Sequence, residues 1–344
     1  MIEYVKMQLN RSFFVLLYVS NKGGNILEEQ VPNRRSRRRK RKFRLGRFFM
    51  TLLFLLMIGI IVFSVVQYKA GLKSASSVEH DDIKFTGDPI DVKNSSIENI
   101  LVLGVDTRGE EQSRTDTMML VSWNKETDEV NIVSFMRDIY AEIPGYKSYK
   151  LNTAYYLDGV QLVKDTISSM FGVPIHHYAL IDFNNFESLV DIVAPNGVEV
   201  DVEKAMSEKI GVSLEPGVQQ LSGQELLGYA RFRADSEGDF GRVARQQKVV
   251  EALKNEVLSP TNAINYPKFA GAIQGYVQTD YSTTDEVRKV LSLAFSGGVE
   301  INKLTIPVEN SYDYGSYSGV GSVIEIDVEK NKQELSEFLG MRLR

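Results

Sequence analysis

The sequence predicts an α/β fold: a single extracytoplasmic α/β/α domain with a mixed central sheet, preceded by one transmembrane helix. Three observations predict it. An uncharged apolar run, "FFMTLLFLLMIGIIVFSVV" (48–66), follows directly on the basic block "RRSRRRKRKFRLGR" (34–47). From residue 98, short apolar runs bounded by turn residues alternate with segments of helical period. No internal repeat and no long linker interrupts that alternation, so roughly 245 residues read as one domain.

The membrane element comes first. A helix over the 19 residues of the apolar run spans roughly 28 Å, about the hydrocarbon thickness. The run is longer than the apolar region of a cleaved signal peptide. Basic residues stay inside, so 1–47 is a cytoplasmic tail, 48–67 the span, 68–97 a polar linker, and 98–344 the outer domain. An earlier apolar run, "FFVLLYV" (13–19), is too short to cross. Charge also divides the chain. Residues 1–50 hold 13 Lys and Arg against three Asp and Glu, a charge of +10, and the total of −5 leaves −15 for the rest. Adjoining a span, the basic block reads as a topology signal touching anionic lipid. No nucleic-acid partner is expected.

The domain elements follow in order. "NILVLGVD" (99–106) is a continuous apolar run, the pattern of a strand buried on both faces. "TMMLVSW" (117–123) and "VNIVSFM" (130–136) are the next strands, separated by the turn-rich "NKETDE". "NTAYYLDGVQLVKDTISSMF" (152–171) is a helix with Tyr156, Val160, Val163 and Ile167 on one face. "HYALIDF" (177–183) is a strand and "NNFESLVDIV" (184–193) a helix. Helices are expected over 222–233 and 241–258, the second with Val243, Val250, Leu253 and Val257 as its core stripe. A helix over 284–295, strands over 301–308 and 322–328, and a helix over 329–340 complete the chain.

Cysteine is absent, which excludes disulfides, thiolate metal sites and a cysteine nucleophile. His80, His176 and His177 form no zinc pattern with an acidic partner.

Strand order gathers charge. If the first two strands are antiparallel neighbours, Asp106 and Asp116 share one end of the sheet, and Arg137 arrives there from the third. The intervening loop adds Arg108 and Arg114. Two carboxylates can hold a hard cation such as Mg²⁺, and the arginines can bind phosphate oxygens bidentately. Solvated ion pairs, worth under about 1 kcal/mol each, are the other reading. "RFRADSEGDFGRVARQQ" (231–247) adds more arginines. Arg242 and Gln246 share a helix face. Arg231 and Arg233 alternate along an extended segment. Asp239 is placed as helix N-cap, and the helix N-terminus is itself an anion site. The reading is that these arginines hold a pyrophosphate.

"LVLGVDTRG", "SRTDTMML", "SFMRD", "KLNTAYYLDG", "LSGQELLGYARFR" and "DFGRVARQQ", in this order from about 98 to 260, resemble the LytR-CpsA-Psr family of cell-envelope proteins. One departure is Met136, where the family often has proline. The resemblance implies a phosphotransferase that moves an anionic glycopolymer, such as wall teichoic acid or capsule, from a polyprenyl-pyrophosphate carrier to peptidoglycan. It implies that Asp106 and Asp116 bind Mg²⁺. Arg108, Arg114, Arg137, Arg231, Arg233, Arg242 and Gln246 surround the pyrophosphate. Asp106 or Asp239 assists deprotonation of the acceptor hydroxyl, and Arg114 stabilises the transition state. The partners are then a polyprenyl-pyrophosphate-linked glycan donor, a peptidoglycan acceptor and the cell membrane. The helix carrying Tyr155, Tyr156, Val160, Val163 and Ile167 lines a groove for the polyprenyl tail or is plain core.

Two other functions use the same residues. A hydrolase would cleave the lipid pyrophosphate with water. A membrane-anchored carrier binder or regulator would bind it without turnover.

Overall fold

The computed structural model describes residues 45–90, 96–107, 115–281 and 301–343. Arg108, Arg114, the run 13–19 and the helix expected over 284–295 lie outside the described residues.

The first helix, α1 (Leu45–Ser74), is longer than the predicted span. It is the one helix among the described residues long and apolar enough to cross a membrane, and its apolar window is wholly exposed. The stretch read as linker behaves differently from that reading. Residues 68–74 continue α1, and Ala75 is buried against Ala272 and Tyr276 of α6 (Tyr266–Tyr276). The contact is made by small residues four apart. A Cβ on Gly271 would strike the Tyr68 carbonyl oxygen, and one on Gly71 that of Lys268. The Tyr276 hydroxyl donates to the Ser74 carbonyl at 2.7 Å. Further on, Asp88 receives Lys164 Nζ and the Ile175 amide, each at 2.8 Å. Polar composition hid this packing, because backbone approach needs glycine and alanine rather than large apolar side chains.

The central sheet is mixed, as predicted. Its strands are β1 (Ile97–Val105), β2 (Thr115–Asn124), β3 (Val130–Phe135), β6 (His177–Asp182), β9 (Gln278–Thr279) and β10 (Ile301–Ile306). Their order is β10-β3-β2-β1-β6-β9. β1 and β2 are antiparallel, as are β2 and β3, while β1 pairs β6 in parallel. Alternation divides the sheet between two layers. Leu101, Leu103 and Val105 enter the core shared with α2 (Thr153–Phe171) and α7 (Val328–Leu339). On the other face Met119 and Ile132 pack with Val250 of α5 (Gly238–Val257). That layer also holds α3 (Phe183–Val193) and α4 (Gly223–Arg231).

Three small pairs complete the strands: β4 (Tyr140–Ala141) with β5 (Tyr149–Lys150), β7 (Val198–Val202) with β8 (Gly217–Leu221), and β11 (Tyr312–Tyr317) with β12 (Gly321–Ile326); of these only β12 was expected, as the strand over 322–328. Helix α2 is kinked at Asp158 and Gly159, where Gly159 takes φ 64°. The kink breaks the expected stripe. Val160, Val163 and Ile167 are core, whereas Tyr156 on the preceding turn is 41% exposed. The expected α5 stripe holds, with Val243 buried and Val250, Leu253 and Val257 partly buried against the hydrophobic clusters, and Val249, Arg242, Arg245, Gln246 and Gln247 are buried beside it.

Candidate functional site: a cationic cavity at the sheet edge

The sheet brings the predicted residues to one edge. Asp106 directly follows β1, and Arg137 follows β3 by one residue. Asp116 arrives through a β-bulge. Gly104 pairs with Thr117 and Val105 with Thr115, so Asp116 is the extra residue between them. A bulge re-aims the side chain it carries. Here the Asp116 carboxylate meets the Arg137 guanidinium.

Arg231 ends α4, whose start is fixed by a capping box between Ser222 and Glu225. Its guanidinium lies 3.3 Å from Asp106 Oδ2 and 5.0 Å from the centre of the Phe183 ring. Phe232 is extended, so the chain leaves the helix there and carries Arg233 to the same cavity. Arg231 is thus helical, as the helix expected over 222–233 has it, and the extended segment expected to carry Arg231 and Arg233 begins only at Phe232.

Asp239 is not the N-cap of α5. That position belongs to Glu237, and Asp239 sits in the first turn. Asp235 Oδ1 accepts from the Glu237 and Gly238 amides at 3.2 and 3.1 Å. The helix N-terminus expected to bind an anion is therefore occupied by the protein's own carboxylate. Asp239 Oδ1 instead lies 3.2 Å from Arg242, 3.9 Å from Arg137 and 3.9 Å from Arg233. It draws three guanidinium groups together.

These residues line a cavity of about 430 Å³. Its cations are Arg137, Lys209, Arg231, Arg233 and Arg242, against the acids Asp116 and Glu208, with Gln246 completing the wall. Lys209 and Glu208 come from the loop after β7, where no period or motif marks them in the sequence. Burial opposes the Arg137 charge, but Asp116, Asp138 and Asp239 outweigh it and raise its pKa above the ordinary value. For Arg242 burial dominates, the like charge of Arg137 adds to it, and the pKa falls below the ordinary value. Both stay charged at neutral pH. Arg242 is 4% exposed, and its buried Nε has no hydrogen-bond partner among the described residues. Asp239 meets part of this charge, and the buried donor left unpaired is costly unless an acceptor enters.

Arg245 and Gln247 turn away from the cavity. Arg245 donates to Asp235 and to the Phe232 carbonyl at 3.1 and 2.7 Å, and Gln247 bonds Ser134 at 3.0 Å. They hold the arginine-bearing loop and the helix in place.

An apolar crevice of about 120 Å³ adjoins the cavity at Gln246. Val102, Gly104 and Met119 form its floor, with Phe183, Phe186 and Leu227 above. This lies on the opposite sheet face from Val160, Val163 and Ile167, which belong to the α2 core. Of the two readings of α2, groove or plain core, Val160, Val163 and Ile167 follow the second.

Together these features define an α/β domain behind one long apolar helix, with an anion cavity at a sheet edge and an apolar crevice beside it. The chain belongs to the LytR_cpsA_psr family, whose model matches residues 61–335. Regulatory protein MsrR of Staphylococcus aureus (strain COL) is 41% identical over 280 residues, covering 81% of this chain and 85% of that protein. A Bacillus licheniformis relative is named polyisoprenyl-teichoic acid–peptidoglycan teichoic acid transferase TagU. It is 32% identical over 238 residues, covering 67% of this chain and 77% of its own length. The crystal structure of B. subtilis TagV superposes with a TM-score of 0.62 at 26% identity, covering 72% of this chain and 98% of that one.

Proposed function

We propose that the protein is a phosphotransferase that attaches an anionic glycopolymer from a polyprenyl-pyrophosphate carrier to peptidoglycan on the outer side of the cell membrane. The observation that carries this is the cationic excess of the cavity, with a buried arginine left short of partners. A pyrophosphate supplies concentrated negative charge and many acceptor oxygens. The name of the TagU relative supports the classes of donor and acceptor, and the basic block before α1 supports the orientation.

The acceptor hydroxyl attacks the phosphorus nearer the sugar. A new P–O bond forms, the bond to the bridging oxygen breaks, and polyprenyl phosphate leaves with that oxygen. The hydroxyl proton passes to a carboxylate of the site. Arg137, Arg231, Arg233 and Arg242 stabilise the charge growing on the leaving phosphate, and Gln246 stands where cavity meets crevice. The crevice takes the first apolar segment of the lipid. Asp239, held between three guanidiniums, positions them. Arg108 and Arg114 join the site in the family-based reading.

Mg²⁺ fits the donor set. No group of three acidic or histidine side chains that could hold a metal ion is found among the described residues, so the protein alone builds no cage. Mg²⁺ is ordinarily bound through one or two carboxylates plus phosphate oxygens and water, and Asp106 and Asp116 would hold it. It would neutralise phosphate charge.

The test is product analysis with the full chain in detergent, a short-chain polyprenyl-pyrophosphate glycan and peptidoglycan fragments. Wild type yields phosphodiester-linked product, and Arg231→Ala and Asp106→Ala lose it. Carrier binding with no turnover would refute the transferase and leave a binding protein.

A further inference from the structure

A second cavity, of about 520 Å³, lies beside the first and is unused by the phosphate. The two share a wall, Asp116 and Arg137. Their chemistry differs. In the second, Arg137 and Lys150 are matched by Asp116 and Asp138. Lys150 Nζ lies 2.9 Å from Asp138, and Arg137 Nε 3.8 Å from the same carboxylate. Charges balanced in pairs offer donors and acceptors without drawing an anion. Asn152 and Thr153 add neutral hydrogen-bonding groups. Tyr156, held out from the core by the kink in α2, gives the wall an aromatic surface.

The facing rim is the tip of the β11–β12 hairpin, at Gly319 and Val320. Its position is fixed. Tyr317 stacks on Tyr140 at 4.4 Å and 13°, and Tyr140 pairs with Lys150 across β4 and β5. An aromatic ring beside balanced hydrogen-bonding groups suits a pyranose, which has an apolar C–H face and a polar hydroxyl edge.

We propose that this cavity is the acceptor subsite and binds an uncharged stretch of hexosamine glycan from peptidoglycan. The inference rests on the transferase reading and adds the seat of its second substrate. An in-line displacement brings nucleophile and leaving group to opposite faces of the phosphorus. The apolar crevice joins the anion cavity at Gln246, and the balanced cavity joins it at Asp116 and Arg137. The first opening serves the departing lipid phosphate and the second the incoming hydroxyl.

The experiment has two arms, both on the full chain in detergent. The first measures binding of an unmodified peptidoglycan oligosaccharide alone, by saturation-transfer NMR and calorimetry. Wild type binds, Tyr156→Ala weakens binding about tenfold, the size of a lost stacking contact, and Tyr156→Phe restores it. Val320→Trp, which fills the cavity from the hairpin tip, abolishes binding. Tyr314→Ala leaves it unchanged, because Tyr314 is on the other face of the hairpin from Tyr317. The second arm measures turnover: Tyr156→Ala raises the acceptor KM about tenfold and holds the donor KM. Unchanged acceptor binding and KM would overturn the proposal. A rise in the donor KM alone would overturn it too, by assigning the cavity to the donor's sugar. Tyr156-dependent binding by a wild type that transfers nothing would sink the transferase reading and keep the glycan site.

Discussion

Arg242 and Arg245 are three residues apart on α5, both deeply buried, and their surroundings give them different work. The terminal nitrogens of Arg245 bond Asp235 and the Phe232 carbonyl, away from the cavity, whereas Arg242 faces it; the Nε of each is unpaired among the described residues. Arg231→Ala and Arg242→Ala are expected to cut transfer about 10²–10³-fold, as loss of one transition-state donor does. Arg245→Ala is expected to cost about 1–3 kcal/mol of stability, because the Phe232 carbonyl loses its donor while Asp235 keeps Lys204 and two amides. Thermal unfolding beside kcat/KM separates the two effects. At this scale the sequence showed the arginines and aspartates of the quoted motifs. It did not show Lys209, whose loop has no period, or the bulge that aims Asp116.

Two elements carry consequences of their own. The first is the close packing of α1 on α6. Gly271→Leu would push its side chain into the Tyr68 backbone and is expected to destabilise by about 1–3 kcal/mol. Limited proteolysis should then open the segment between Ala75 and Asp88. The second is the contact of β1 with the residue before β6. His176 Nδ1 accepts from the Asn99 amide at 2.9 Å. Burial lowers the His176 pKa below 6.5. Glu98 and Asp88 oppose that shift, and His177 and Lys125 add to it. The unfolded chain therefore binds a proton more readily. Its contribution to stability is full above pH 6.5 and declines as the pH falls below it. Urea unfolding between pH 7 and 5 should show this decline, and His176→Gln should flatten it. Asp88 has a lowered pKa through Lys164 and Ile175 despite its burial, and it acts only at lower pH. The major strands and helices were legible because they bury long apolar runs. The β4–β5 pair has two residues per strand, too few for a period to register.

Across the whole molecule, one long apolar helix follows a basic block, and the proposed orientation, with the cavities on the outer side, rests on that order. The chain has no cysteine, so Ser77→Cys is a clean reporter. An impermeant thiol reagent should label it in intact cells, and labelling only after lysis would invert the topology. The β1–β2–β3 part of the mixed sheet was legible, since short connections join its apolar runs, whereas the places of β6 and β10, reached by long crossovers, and the two-residue β9 were not. The second cavity was not, because α2, β5 and a hairpin some 150 residues further along meet there only in the fold. The central claim is that the phosphorus is passed to a sugar hydroxyl rather than to water. The direct measurement is release of polyprenyl phosphate from the donor by the full chain, with and without peptidoglycan oligosaccharide. Release that depends on the oligosaccharide and matches linked product is the predicted result. Equal release without it, accompanied by free glycan phosphate, would contradict the claim and make the protein a hydrolase.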